Sequence, residues 1–321
     1  MEKEKLNELI AELKKIEFDS FSVGVKYAKN EEEKKETAEQ LIQAIEKSFS
    51  AILDKSAPQL IVLFNSLTKR FDFQIKSIYI YGKYCKFSRE LPQTIHYCFK
   101  CKGRGCEKCD FTGKQSNESI QELISEIMIP EFQALEGKFH GAGREDKDVL
   151  MLGKGREFVF ELIYPKKRKG NLNNIEKEIN SKFKEKIQVK LIDFCEKEKV
   201  IEIKAKKNTK KYLAVIEFEE EVTDKIIEKI KKKLKKKIEV NQLTPLRKEN
   251  KKELERNKWI ELVAVREKDT QRIELEINCK SGTYVKEFIS GDEGRTNPSI
   301  AGITGISCEC IQLDVLEIME N

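Results

Sequence analysis

An α+β fold, built on a mixed or antiparallel sheet with helices on one face, is what three features of this sequence predict. The first part interleaves amphipathic helical stretches with runs rich in β-branched and aromatic residues. From Gly143 onward such strand-like runs dominate. One strongly amphipathic helix lies among them, and it needs a sheet face to cover.

The elements follow in order. The first twenty residues, MEKEKLNELIAELKKIEFDS, read as a charged amphipathic helix, and FSVGVKY as a strand. A second helix is expected over Asn30 to Lys55, where Ala38, Leu41, Ile42, Ile45, Phe49, Ile52 and Leu53 fall roughly on one face. IVLFN and FQIKSIYIYGKY read as strands. This makes a small α+β unit ending near a cysteine cluster, and SIQELISEIMIPEFQAL is a helix bridging to the second part. There the strands are REFVFELIYP, KIQVKLIDF, KYLAVIEFEE, KWIELVAVRE and QRIELEINC. Between the third and fourth lies TDKIIEKIKKKLKKKIEV, whose Ile226, Ile230, Leu234 and Ile238 line up at four-residue spacing beneath a polylysine face. The expected domains are 1–127 and 128–321.

At 321 residues, two domains fit the length. The 39% hydrophobic content suffices for real cores, and the 37% charged content is high. The 62 basic and 56 acidic residues leave a net charge of +6, a mild pointer to nucleic acid that the clustering of lysines strengthens. Lys/Glu enrichment of this kind occurs in heat-adapted proteins, and biased genome composition produces it too. No segment approaches the ~20 apolar residues that span a bilayer, and the first helix is too charged for a signal peptide. A cytoplasmic, non-membrane protein is expected. Its nine cysteines are therefore expected as thiols or metal ligands rather than disulfides.

Four of those cysteines stand in HYCFKCKGRGCEKCDFTGK. Cys98, Cys101, Cys106 and Cys109 form two C-x-x-C knuckles, and Gly103, Gly105 and Gly113 permit tight turns between and after them. Thiolates at that spacing chelate one tetrahedral Zn²⁺, and four of them leave no open position for water, so the zinc is expected to be structural. Binding by one pair alone, or redox chemistry, is the competing reading.

HGAGREDKDVLMLGKG, just before an apolar strand, places an Arg-Glu-Asp triplet on a glycine-rich turn. An aspartate in so charged a chain is ordinarily a solvated turn residue, Tyr212 alone is ordinarily core, and Lys286 alone a solvated charge. GTYVKEF also has the form of an anion-binding helix start. In combination, the order Arg-Glu-Asp, Lys-x-Tyr-x-Ala-Val and Gly-Thr-Tyr-Val-Lys resembles the signature of pseudouridine synthases. The chain is similar in particular to family ten of the archaeal and eukaryotic tRNA pseudouridine synthases, which modify the T loop. IYGKYCKFSRELPQTIHYCFKCKGRGC, SIQELI, GAGREDKDVLMLGKGREFVFEL, QLTPLR and SGTYVKEFISGDEGRTNPSI all look like blocks of that family, in order, over almost the whole chain.

The resemblance implies a catalytic aspartate at Asp146 and a tyrosine at Tyr212 that stacks on the target base and assists proton transfer. It implies a basic partner for the aspartate at Lys286 and an RNA-contacting arginine at Arg144. Tyr284, in the Gly-Thr-Tyr-Val-Lys block, is carried over as a further substrate-binding residue. It also implies an N-terminal THUMP-containing accessory domain gripping tRNA near the acceptor end, with the zinc region beside it. The substrate would be uridine at T-loop positions 54 and 55, and catalysis would need no cofactor. The protein is expected as a monomer. Two departures stand out. The additional C-x-x-C that relatives usually carry near the N-terminus is not found here, which supports a self-contained four-cysteine site or a site with fewer protein ligands. After QLTPLR the family's basic His/Arg-rich stretch is replaced by KENKKELERNK, which bears on RNA contacts and not on the chemistry.

One carboxylate, acting as nucleophile or base toward the sugar, is enough to break N1–C1′ and rejoin uracil through C5. It must be ionised in a pocket enclosing a flipped base, and a nearby ammonium opposes the rise in pKa that burial imposes. Lys225 to Lys237 are expected either to track phosphates or to be a plain solvated face. Another THUMP enzyme, a methyltransferase or sulfur-inserting enzyme, needs a glycine-rich cofactor loop in a βαβ unit, or a pyrophosphatase-type loop. GAGRED lacks the third glycine of the former. A non-enzymatic zinc RNA-binding protein is the other alternative, separated from an enzyme by turnover.

Overall fold

The computed structural model describes residues 3–244 and 254–319. Its N-terminal unit comprises α1 (Lys3–Leu13), β1 (Ser20–Lys26), α2 (Glu31–Ser48), β2 (Ile52–Leu53), β3 (Leu60–Asn65) and β4 (Arg70–Ile75). Helix α2 begins where the Asn30 side chain accepts from the Glu33 amide, and Glu31 to Glu33 complement the positive end of its dipole. The sheet runs β2-β1-β3-β4, with β1 parallel to β2 and β3, and β4 antiparallel to β3. Leu9 and Leu13 of α1 and Leu41 and Ile45 of α2 close over Phe21, Leu60, Val62 and Phe64 in a core of their own.

The remainder is β5 (Ile78–Lys86), α3 (Ile120–Phe132), β6 (Glu136–Gly141), β7 (Leu150–Ile163), α4 (Leu172–Lys182), β8 (Ile187–Cys195), α5 (Glu198–Ala205), β9 (Thr209–Phe218), α6 (Asp224–Leu234), β10 (Ile238–Leu243), β11 (Glu255–Glu267), β12 (Arg272–Lys280), α7 (Val285–Ser290), β13 (Thr296–Asn297), α8 (Ile300–Thr304) and β14 (Cys308–Met319). Among the described residues these strands form one ten-stranded sheet, ordered β13-β10-β11-β12-β9-β14-β7-β5-β8, with β6 paired to β7. Its pairings are antiparallel except β7 with β14, which run parallel at Leu150–Asp314 and Met151–Val315. The sheet is therefore mixed, and the α+β class holds. Apolar residues of α3, α4, α6, α7 and α8 pack on one face of it in a single core.

The long strand β7 crosses from β14 to β5 and β6 through two glycines with positive φ, Gly153 and Gly155. A Cβ on Gly153 would lie 2.2 Å from the Leu316 carbonyl oxygen, and one on Gly155 2.7 Å from that of Tyr84. Only glycine allows the strand to bend there.

Several expectations change. FQIKSIYIYGKY is two strands in two different sheets, because the chain leaves β4 at Ile75 and re-enters as β5 at Ile78. Packing thus divides there and not at 127/128: β5 lies between β7 and β8, and α3 covers the large sheet's core. The first helix ends at Leu13, and the second at Ser48, beyond which Ile52 and Leu53 pair with β1. Ile238 is not a fourth rung of α6 but opens β10, where it faces Ile260 of β11. Helix α5 lies on the opposite face, its Ile203 against Tyr79 and Val159, so the helices are not all on one side. None of the described helices is long and apolar enough to cross a membrane. Most of KENKKELERNK lies outside the described residues.

Candidate active site

A cleft of about 360 Å³ opens where the loop between β6 and β7 faces β9, β14 and the turn from β12 into α7. That volume is within the ~300–1,000 Å³ of small-ligand sites. Arg144, Glu145, Asp146, Lys210, Tyr212, Tyr284 and Lys286 are among its lining residues. Thus the three stretches singled out in sequence meet in one place.

The loop bearing Asp146 is held from below by charges. Gly143 takes φ +87°, and a Cβ there would sit 3.0 Å from Arg156 Nη1. Arg156 is fully buried; its Nη1 donates to Ala142 O at 3.1 Å, and its Nε lies 2.9 Å from Glu145 Oε2, an ion pair without an aligned hydrogen bond. The Tyr84 hydroxyl donates to Glu145, and Gln93 Nε2 donates to both that hydroxyl and Gly143 O. Glu145 is therefore turned inward, and its neighbours Arg144 and Asp146 turn outward. The Lys86 ammonium, on a side chain with no exposed surface, donates to the carbonyls of Leu91, Asp146 and Lys147 at 3.0, 3.1 and 2.8 Å. Burial draws its pKa down to about 8, against the pull of Glu145 and Asp148. Arg89 completes the support, donating to Asp148 O and pairing with the buried Asp314 of β14.

Asp146 presents a side chain 56% exposed toward the cleft, with Lys286 Nζ 3.8 Å from its Oδ2. The same ammonium is closer to Asp148, at 2.7 Å. Burial raises the Asp148 carboxyl, but the hydrogen bond and charge of Lys286 outweigh it and hold the group below its ordinary value. Lys286 thus spans both carboxylates, and Asp148 is not a bystander at the surface.

Tyr212, on β9, packs against the main core and lines the cleft. Burial pushes its hydroxyl well above the ordinary 10.0, so it is a neutral phenol. Tyr284 caps the N-terminus of α7. The buried Gln242 of the QLTPLR block grips its backbone twice, donating to Tyr284 O at 2.8 Å and accepting from Tyr284 N at 3.0 Å. Arg144 reaches the other way, its Nη2 2.7 Å from His96 Nε2. Burial, then the charges of Arg144 and Lys147, hold His96 below 6.5, so a neutral ring accepts that bond.

His96 leads into the cysteine loop. The sulfurs of Cys98, Cys101, Cys106 and Cys109 all lie within 4.8 Å of one another. The 98–106, 101–109 and 106–109 separations are 3.9, 3.8 and 3.7 Å. A tetrahedral ion with metal–sulfur bonds of ~2.3 Å has edges of ~3.8 Å, so the donor set fits zinc. The amides of Cys106 and Gly113 each donate to Cys109 Sγ at 3.3 Å, which favours a thiolate there. All nine cysteines are free thiols.

Sequence reasoning did not single out Tyr84, Lys86, Arg89, Gln93, Glu145 or Arg156 by role. Four of them lie in one block, IYGKYCKFSRELPQ, whose polar residues in an otherwise strand-like run were the available signal.

A family model described as Pus10, C-terminal, matches residues 79–319. With the sheet and cleft described above, this makes the chain a pseudouridine synthase by class. Three archaeal relatives, each named tRNA pseudouridine synthase Pus10, narrow it further. That of Methanopyrus kandleri is 36% identical, over 97% of this chain and 76% of the relative. The Methanosphaera stadtmanae protein is 34% identical over 95% and 82%, and that of Methanocaldococcus jannaschii 40% identical over 84% and 59%. The chain belongs to the Pus10 family. Among solved structures, a chain of a Cbf5-Nop10-Gar1 complex is similar over 74% of this chain and 58% of its own, at TM-score 0.36 and 14% identity. That likeness adds nothing to the assignment.

Proposed function

We propose that this protein isomerises uridine to pseudouridine in the T loop of tRNA, at positions 54 and 55, with Asp146 as the catalytic carboxylate. The observation that carries the reading is the convergence of Asp146, Lys286 and Tyr212 on one cleft, in a member of the Pus10 family. The target nucleotide flips into the cleft and stacks on Tyr212, which contributes ~1–3 kcal/mol. Asp146 attacks C1′, or removes the 2′ proton. Either way N1–C1′ breaks and its electron pair passes to the ring. The uracil turns, and C5 bonds to C1′ as the Asp146–C1′ bond breaks or, on the other route, as Asp146 returns the proton to C2′; the C5 proton then leaves to solvent and N1 takes one up. Atoms and electrons balance, and the residues need no cofactor. Lys286 stands beside the carboxylate, its Nζ 3.8 Å from Asp146 Oδ2, and Tyr284 and Arg144 hold the flanking RNA.

The unit over 3–75 is read as part of the THUMP-containing accessory domain, gripping the acceptor end. The four cysteines are read as holding a structural zinc beside the active-site loop. The working form is taken as a cytoplasmic monomer. Tritium release from C5-labelled uridine in an unmodified tRNA transcript tests the activity. Asp146→Asn, which keeps size but removes nucleophile and base, is expected to lower the rate by at least ~10³-fold with tRNA affinity unchanged. A native rate in Asp146→Asn would sink the assignment, leaving a zinc-bearing RNA binder.

A further inference from the structure

Strand β9 alternates, so Lys210 and Tyr212 share one face, and Lys211 points the other way to pair with Glu276. Lys210 is only 8% exposed, and what remains open faces the cleft. Its Nζ lies 3.6 Å from the position a Gly143 Cβ would take, directly behind the loop carrying Asp146. Among the described residues no carboxylate stands within ion-pairing distance of it. The groups that bear on it electrostatically are Arg156 of β7, Cys279 of β12, Glu145 of the loop and Lys258 of β11. Glu145 is already taken by Arg156 and Tyr84. A buried ammonium without a counter-charge is costly, and here burial, then Arg156, draws its pKa down to about 8. Such a charge is worth keeping where a negative charge appears during the reaction.

We propose that Lys210 is a catalytic residue whose ammonium receives, at a ring carbonyl oxygen, the negative charge that N1–C1′ cleavage places on the uracil. This rests on the synthase reading above. Lys210 remains protonated throughout: it donates a hydrogen bond as the bond pair moves onto the ring, and relinquishes it as C5 rejoins C1′. Its depth in the cleft that Tyr212 also lines suits a planar carbonyl rather than a backbone phosphate, for which Arg144 at the exposed rim is placed. Because the ring is neutral before cleavage and anionic after it, the interaction strengthens toward the transition state.

The test uses full-length protein and two tRNA transcripts, one with uridine and one with 5-fluorouridine, under single turnover. Nucleoside mass spectrometry of the digested tRNA reads both reactions. Lys210→Met and Lys210→Gln are near-isosteric, and thermal melts identify whichever is folded. The expected result is a fall of ~10²-fold in rate on uridine, tRNA affinity unchanged, and recovery of most of the rate in Lys210→Arg. On 5-fluorouridine the loss should shrink severalfold, because fluorine already withdraws charge from the leaving ring. An equal loss on both substrates, or none on uridine, overturns the role of Lys210 while wild-type turnover leaves the synthase reading standing. A wild-type protein that makes no pseudouridine removes both.

Discussion

Lys86 and Lys286 are both lysines beside the Asp146 loop, yet they do opposite things. Lys286 is at the surface of the cleft and shared between two carboxylates, 2.7 Å from Asp148 and 3.8 Å from Asp146. Replacing Asp148 by Asn takes away the nearer partner and lets the ammonium settle on Asp146. Activity is therefore expected to persist in Asp148→Asn, measured in the same tritium assay, in contrast to Asp146→Asn. Lys86 is buried and spends its three donors on backbone carbonyls, two of them in the loop itself. Lys86→Met leaves those acceptors unpaired, at ~1–3 kcal/mol for each that water cannot reach. A stability loss of at least ~2 kcal/mol in urea unfolding is expected, with a fall in kcat. Unchanged stability would mean that the loop is held by Arg156 and Arg89 alone.

At the scale of elements, α6 and the cysteine loop carry the clearest tests. Ile226, Ile227, Ile230 and Leu234 bury one side of α6, which leaves its lysines on the outside. Lys232 and Lys233 line a second cleft with Asn297, Pro298 and Ser299. Neutralising Lys231, Lys233, Lys235 and Lys236 is expected to weaken tRNA binding and flatten its salt dependence, by up to ~0.9 in slope per lost contact on duplex. An unchanged slope would make that side a solvated surface. In the cysteine loop, Cys98→Ser with Cys101→Ser removes half the sulfur tetrahedron. Elemental analysis should show about one zinc per native chain and its loss in the double variant, with protease cutting within the loop. Since His96 meets Arg144 at the loop's base, a drop in activity is expected as well.

Across the whole molecule, stability depends on carboxylates whose partners come from other elements. Glu157 of β7 is bonded by Lys206 and Tyr81, and Glu161 by His140 and Tyr79. Burial raises both carboxyls, but these bonds outweigh it and hold each below 4.5; Asp148 is likewise below 3.8. Groups with depressed folded pKa values stabilise fully above their unfolded values and lose that contribution as pH falls through the folded ones. Melting temperature is thus expected to drop as pH falls below about 4.5. Glu157→Gln should melt lower near neutrality and lose less on acidification. A melting curve flat from pH 6 to 3 would contradict this origin.

Local chemistry by itself determined the α+β class, most strands and the cysteine tetrad, each from information within one stretch such as apolar periodicity or C-x-x-C spacing. The residues facing the cleft were legible only through several motifs in order and their resemblance to a family. The paths between stretches were not legible there. FQIKSIYIYGKY carries no mark at Lys76 that it changes sheets, because strand propensity is the same on either side. Helices α4 and α5 have short apolar stripes that mean little until a sheet face covers them, and CECIQLDVLEIM was passed over as a strand. Only the tertiary structure decided that Glu145 turns inward and Asp146 outward, that Lys86 lies beneath both, and that Lys210 stands without a counter-charge. A side chain's burial and its partner are set by strands far away in sequence, and the strength of a charge depends on what surrounds it.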